Sequence, residues 1–139
     1  MLPLHSGRLI LRRFTDGDVA AFLGYRNDLE VIRYQNGNGC TTTEAAEFIR
    51  RQQCQEVGVP GEWLQIAIAF KATNELIGDC GVRIQAADTR QATIGVSLAQ
   101  AWQGQGFATE ALCCLYDYLF QHLALHRIVG VQNLCNRMD

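Results

Sequence analysis

The chain of 139 residues is 48% hydrophobic, and 12 Lys+Arg against 14 Asp+Glu leave a formal net charge of -2. That balance describes one ordinary globular domain and excludes collagen, coiled coil and disorder; at this size about 68% of the unfolded surface can be buried, so a core is expected without disulfide staples. Lys and Arg never run longer than two, so nucleic acid and an anionic membrane surface are not expected as partners, and a small molecule or a protein is.

From the N-terminus, Leu9 to Arg13 alternate weakly and are β-compatible. Thr15, Asp16 and Asp18 then supply cap and first-turn acids for a helix with Val19, Phe22 and Leu23 on one face. Gly37 to Thr43 is turn-rich, and Thr41 with Glu44 has the spacing of a capping box ahead of a helix running to about Gln55, with Ala45, Phe48 and Ile49 on one face. Trp63 to Phe70 alternates with period two, and after a turn at Thr73 and Asn74 comes Leu76 to Ile84, which predicts a β-hairpin. Asp88, Thr89 and Arg90 mark a further turn before the alternating run Gln91 to Leu98. From Phe107 to about Leu123, the residues Ala108, Ala111, Leu112, Leu115 and Leu119 form a helical apolar face, and Arg127 to Val131 reads as a last strand. The fold class is therefore α+β, a single domain over residues 1–139 with at least three strands at the centre of its sheet.

No apolar stretch approaches the roughly 20 residues of a membrane span, and Pro3, His5 and Ser6 break the N-terminus, so a cytoplasmic location is expected. Cys40, Cys54, Cys80, Cys113, Cys114 and Cys135 show neither a C-x-x-C pair nor Cys/His ligand spacing; reduced thiols packed as small apolar groups are expected, and no metal.

The chemically informative stretch is Leu98 to Glu110, LAQAWQGQGFATE, which leaves a strand, passes two glycines and enters the strongest helix. Gly104 and Gly106 permit unusual dihedrals and close approach, and a helix N-terminus presents unbonded amides at the positive end of its dipole: together, an anion cradle. Charge-assisted hydrogen bonds of about 1.5 to 3 kcal/mol each would hold a diphosphate there without any Lys. Taken alone, two glycines before a helix also serve as a plain turn. There is no G-K-[ST], and G-x-G-x-x-G fails at Thr109.

The spacing that remains, Q-x-x-G-x-A over Gln103, Gly104, Gln105, Gly106, Phe107 and Ala108, resembles the acetyl-CoA pyrophosphate loop of the GNAT acyltransferases. The wider run W-x-G-x-G-F-A-T-E-A resembles the branch containing ribosomal-protein N-terminal acetyltransferases. RLILRRF, ELIGDCGVRI, ATIGVSLAQAWQGQGFATEAL and HRIVGVQNLCN extend the likeness along nearly the whole chain, with Asn136 at the family's Asn position. The resemblance implies the acyl-CoA N-acyltransferase fold, a three-layer α+β arrangement with a mixed, mostly antiparallel central sheet flanked by helices, and an acetyl-CoA-dependent transfer to a primary amine, on a protein N-terminus or a small molecule, by direct attack in a ternary complex. It implies acetyl-CoA as co-substrate, with Gln103 to Thr109 and Asn136 contacting it. It also implies that the strand Gln91 to Leu98 splays from the strand Arg127 to Val131, with the pantetheine arm pairing with backbone at Val96, Ser97 and Leu98. The other reading kept open is a catalytically inactive CoA-binding or assembly module.

By the same resemblance the domain is C-terminally short, since family members continue past Asn136 into a helix and two strands that carry a Ser or Tyr near the leaving thiol. Arg137 to Asp139 depart from the N-x-x-S continuation, and Thr93 stands where a Glu is often found, so the catalytic acid and base are unassigned. A last strand left as an exposed edge is expected to pair with another copy as a homodimer. The remaining candidates all have plainer roles. Asp79, in the hairpin, either faces the cleft or, as is commoner, is a solvated strand carboxylate; Glu110 reads as a dipole-favoured acid, and His122 and His126 as caps. Tyr116 and Tyr118 read as core or interface, and Cys113 and Cys114 as buried, unreactive thiols. Acceptor-side loops are expected near Asn27 to Gly39 and Ala86 to Arg90, where Asp28, Glu30 and Asp88 would attract a cationic amine.

Overall fold

In a computed structural model the chain is described over residues 2–27, 41–56, 58–122 and 127–133, the last stretch as backbone. Asp28, Glu30, His126, Asn136 and the segment that holds Cys40 lie outside the described residues. Among the described residues six strands form one sheet in sequence order: β1 (Leu4–His5), β2 (Leu9–Arg12), β3 (Trp63–Phe70), β4 (Leu76–Ile84), β5 (Gln91–Leu98) and β6 (Arg127–Asn133). Helices α1 (Val19–Arg26) and α2 (Thr42–Cys54) connect β2 to β3, and α3 (Phe107–His122) connects β5 to β6. Neighbours from β1 to β5 are antiparallel and β5–β6 is parallel, the pairing that a crossover helix such as α3 makes possible.

Period-two alternation sorts the side chains onto two faces. Leu64, Ile66 and Ile68 of β3 join Cys80, Val82 and Ile84 of β4 and Ile94 and Val96 of β5 beneath Leu112, Leu115 and Leu119 of α3. On the other face Phe14, Phe22, Tyr25, Ala45 and Ile49 close over Ala67 and Leu76, with Phe22 stacked on Phe48 at 5.1 Å. A bulge between β3 and β4, with Ala69 opposite Leu76 and Ile68 opposite Gly78, inserts Ile77 and sends it to the α3 side while Leu76 stays with α1.

The capping box stands as the spacing predicts: Thr41 Oγ1 accepts from the Glu44 amide at 3.1 Å, and Glu44 Oε1 accepts from the Thr41 amide at 2.9 Å. Before α1, Asp16–Asp18 form a 3-10 turn in which the Asp18 carboxylate accepts from the Thr15 amide at 2.7 Å and from Arg12 Nη1 at 2.8 Å. Two features differ from expectation. Strand β1, too short to show a period, pairs Leu4 with Leu11, and β6 runs two residues further, to Asn133.

Candidate functional site

Beyond β5 the chain turns through a 3-10 segment at Gln100–Trp102, and Gly104 and Gly106 take φ of 76° and 85°. Those left-handed dihedrals disfavour any residue with a Cβ. A Cβ at Gly104 would meet nothing within 4 Å, so the space beside it is open. Helix α3 then begins; the Glu110 amide donates to the Gly106 carbonyl at 3.0 Å, and the Phe107 and Ala108 amides ahead of it have no intrahelical acceptor. An open glycine turn against the positive end of a 16-residue helix fits a diphosphate.

The side chains of the sequence-predicted loop residues are turned to shaping that loop. Gln103 Nε2 donates to the Leu98 carbonyl and Gln105 Nε2 to the Ala101 carbonyl, both at 3.0 Å. Phe107 and Ala108 are buried, and Phe107 meets Phe70 and Trp102 edge-on in an aromatic trio that pins the loop to the end of β3. Thr109 is exposed. Val96, Ser97 and Leu98 are buried on β5, so their backbone is what they can offer a ligand. The parallel ladder with β6 continues to Val96↔Asn133, which puts Val96 inside the ladder rather than in the expected opening; Ser97 and Leu98 lie beyond that pair.

Several expectations are corrected. Glu110 does more than favour a dipole: it accepts from Ser6 Oγ, from the Arg8 amide at 2.8 Å and from Arg8 Nε at 2.7 Å. Burial would raise its carboxyl, but the Ser6 hydroxyl and both Arg8 donors outweigh burial and hold it below its ordinary value. Arg8, which sequence reasoning passed over, lies 4.2 Å above the Phe107 ring and so stands beside the glycine loop. Cys113 is exposed on the outer side of α3, whereas Cys114, half-buried, packs at the flank of the core beside β1; burial and the nearby acids Asp117 and Glu110 raise the Cys114 thiol. Tyr118 is buried as expected, and Tyr116, half-buried, stacks on Phe120. His122 ends α3. Asp88 is occupied by its own turn, accepting from Arg90 Nε at 3.0 Å and Arg90 Nη2 at 3.1 Å.

Asp79 is the largest departure. It is 1% exposed on the α1 face of β4, where it accepts from the Tyr25 hydroxyl and, through both oxygens at 3.3 Å, from Arg26 Nη2. Burial, then the Asp79 charge, pushes the Tyr25 phenol well above its ordinary value, so it stays protonated; burial would lower Arg26, but Asp79 outweighs it and keeps the guanidinium charged. The available signal was an acid at the centre of the apolar run Leu76 to Ile84, with Tyr25 three residues after Phe22 on one helical face. Thr93, on β5, accepts from Gln85 Nε2 at 2.7 Å. Among the described residues no three His, Cys, Asp or Glu side chains are grouped to hold a metal ion, and no helix is long and apolar enough to cross a membrane.

Comparison with known proteins agrees with this geometry. A family model described as an acetyltransferase (GNAT) domain matches residues 8–137. The chain is 34% identical over 129 residues to the uncharacterized N-acetyltransferase p20 of Bacillus licheniformis, covering 92% of this chain and 71% of that one. Among solved structures, a GNAT-family acetyltransferase from Bacillus anthracis superposes with a TM-score of 0.78 at 22% identity, covering 93% of this chain and 72% of that one. The ribosomal-protein-S5-alanine acetyltransferase of Vibrio fischeri superposes at 0.73 with 19% identity, covering 94% and 73%.

Proposed function

Because this chain belongs to the GNAT acetyltransferase domain family, we propose that it transfers an acetyl group from acetyl-CoA to a primary amine, on a protein N-terminus or a small molecule. The observation that carries this reading is the pair of left-handed glycines opening onto the N-terminus of α3 directly behind β5. The backbone of Gly104 to Ala108 would hold the diphosphate, and β5 backbone at Ser97 and Leu98 would align the pantetheine arm. The amine lone pair then forms the N–C bond as the thioester C–S bond breaks, and the proton lost by nitrogen ends on the released thiol. Proximity supplies much of the acceleration, so the transfer needs no metal. The reading includes a cytoplasmic location, in keeping with the four described cysteines being free thiols. It also includes self-association through the outer edge of β6, to be checked by sedimentation at high micromolar concentration.

The test is calorimetric titration with acetyl-CoA, with ATP as control, followed by a free-thiol assay on N-terminal peptides and small primary amines. Binding of acetyl-CoA but not ATP, with thiol release on an amine, supports the reading. Binding without release on any amine favours a non-catalytic CoA-binding module, and no binding by folded protein overturns both.

A further inference from the structure

The Tyr25–Asp79–Arg26 cluster is not accounted for by the fold. A buried ion pair adds little stability over an apolar set of the same volume, because desolvation offsets the attraction, and such groups gather at functional sites. Two placements tie this cluster to the transfer site. Asp79 is the cross-strand partner of Ser97, so the cluster is built on the residue next to the β5 backbone on which the donor arm would lie. Tyr25 and Gly24 also line a cleft of about 530 Å³ together with Ala99 to Trp102, the segment that leads into the glycine loop.

A hydroxyl has one proton and two lone pairs. The Tyr25 proton is committed to Asp79 and one lone pair accepts from Arg26, so what the hydroxyl offers a third group is its second lone pair, an acceptor. Arg26, packed 4.8 Å from the Phe22 ring, pairs with Asp79 at 3.3 Å and holds it in place as the phenol's partner. An amine attacking a thioester must aim its lone pair at the carbonyl carbon, and an acceptor that holds one N–H fixes that aim. A primary amine has two hydrogens, one for this contact and one to lose after attack; a secondary amine has only one.

We propose that Tyr25 orients the acceptor: its hydroxyl, with the proton held by Asp79, accepts an N–H of the incoming primary amine, while Asp79 and Arg26 act through it as positioning residues. This rests on the acetyltransferase reading. The test uses the full chain with Tyr25→Phe, Asp79→Asn and the double variant, measuring acetyl-CoA affinity, melting temperature, and kcat/KM on a primary amine and its N-methyl analogue. Tyr25→Phe is expected to keep its acetyl-CoA affinity and its fold while losing about 10- to 100-fold in kcat/KM for the primary amine. Its preference for primary over N-methyl amine falls toward one. Asp79→Asn also leaves buried Arg26 uncompensated and melts lower, but its kcat/KM and amine preference move the same way, and in those two quantities the double variant is no worse than Tyr25→Phe because both act through one hydroxyl. Wild-type kcat/KM in Tyr25→Phe, an unchanged amine preference, or losses that multiply in the double variant overturn the proposal. If wild-type protein binds no acetyl-CoA or releases thiol with no amine, the acetyltransferase reading itself fails and the proposal falls with it, a result visible before any variant is made.

Discussion

Replacing Gly106 by Ala separates the conformational role of the loop from its binding role. The φ of 85° lies in the left-handed region, and a Cβ there would meet Arg8 Nη2 at 3.6 Å, an ordinary contact, so the cost is backbone strain rather than collision. Left-handed strain of about 1 to 2 kcal/mol, offset by roughly 0.4 to 1 kcal/mol from the less flexible unfolded chain, leaves a net destabilisation of about 1 kcal/mol. For a domain of this size that lowers Tm by about 3 to 5 °C. Gly24→Ala supplies the opposite sign: helical, with nothing within 4 Å of its Cβ, it is expected to stabilise by about 0.5 to 1 kcal/mol. Denaturant unfolding followed by the fluorescence of Trp63 and Trp102 measures both. If Gly106→Ala relaxes the turn and misdirects one amide, the loss of one charge-assisted hydrogen bond of about 1.5 to 3 kcal/mol weakens acetyl-CoA about 10- to 150-fold by calorimetry. Unchanged affinity in both Gly106→Ala and Gly106→Val would refute the cradle, and unchanged stability would refute the strained turn.

Two further outcomes follow from the buried groups. Asp18→Asn strips the carboxylate from a pair whose side chains are 7% and 11% exposed and leaves Arg12 uncompensated, so thermal unfolding is expected to show a loss of about 3 to 5 kcal/mol. Burial raises the Asp18 carboxyl, but the Arg12 and Thr15 hydrogen bonds hold it below its ordinary value. Its contribution is therefore full above about pH 4, the unfolded carboxylate pKa, and is lost as pH falls through the lower folded value; acid titration of wild type should show this loss, and that of Asp18→Asn should lack it. Among the described cysteines, exposed Cys54 and Cys113 should react with a thiol reagent in the folded protein, while Cys80, raised by burial and by the Asp79 charge, reacts only on unfolding; mass mapping of labelled peptides decides this.

Features that depend on neighbours a few residues apart are legible in the chain before it folds. Period-two runs set β3, β4 and β5 at Trp63–Phe70, Leu76–Ile84 and Gln91–Leu98; the Thr41/Glu44 spacing set the start of α2; and two glycines before an apolar helical face marked the loop. Tertiary structure alone decided the rest, because the deciding partner lies far along the chain. Asp79 looked solvated because its alternation partners within β4 are all that local reasoning can weigh; its phenol arrives from α1, 54 residues away. Glu110 looked like a plain first-turn acid because Arg8 reaches it from 102 residues away. Such contacts follow only once β2, β4 and α3 are stacked by burial of their apolar faces, and that stacking chooses which polar side chains lose water and must find one another.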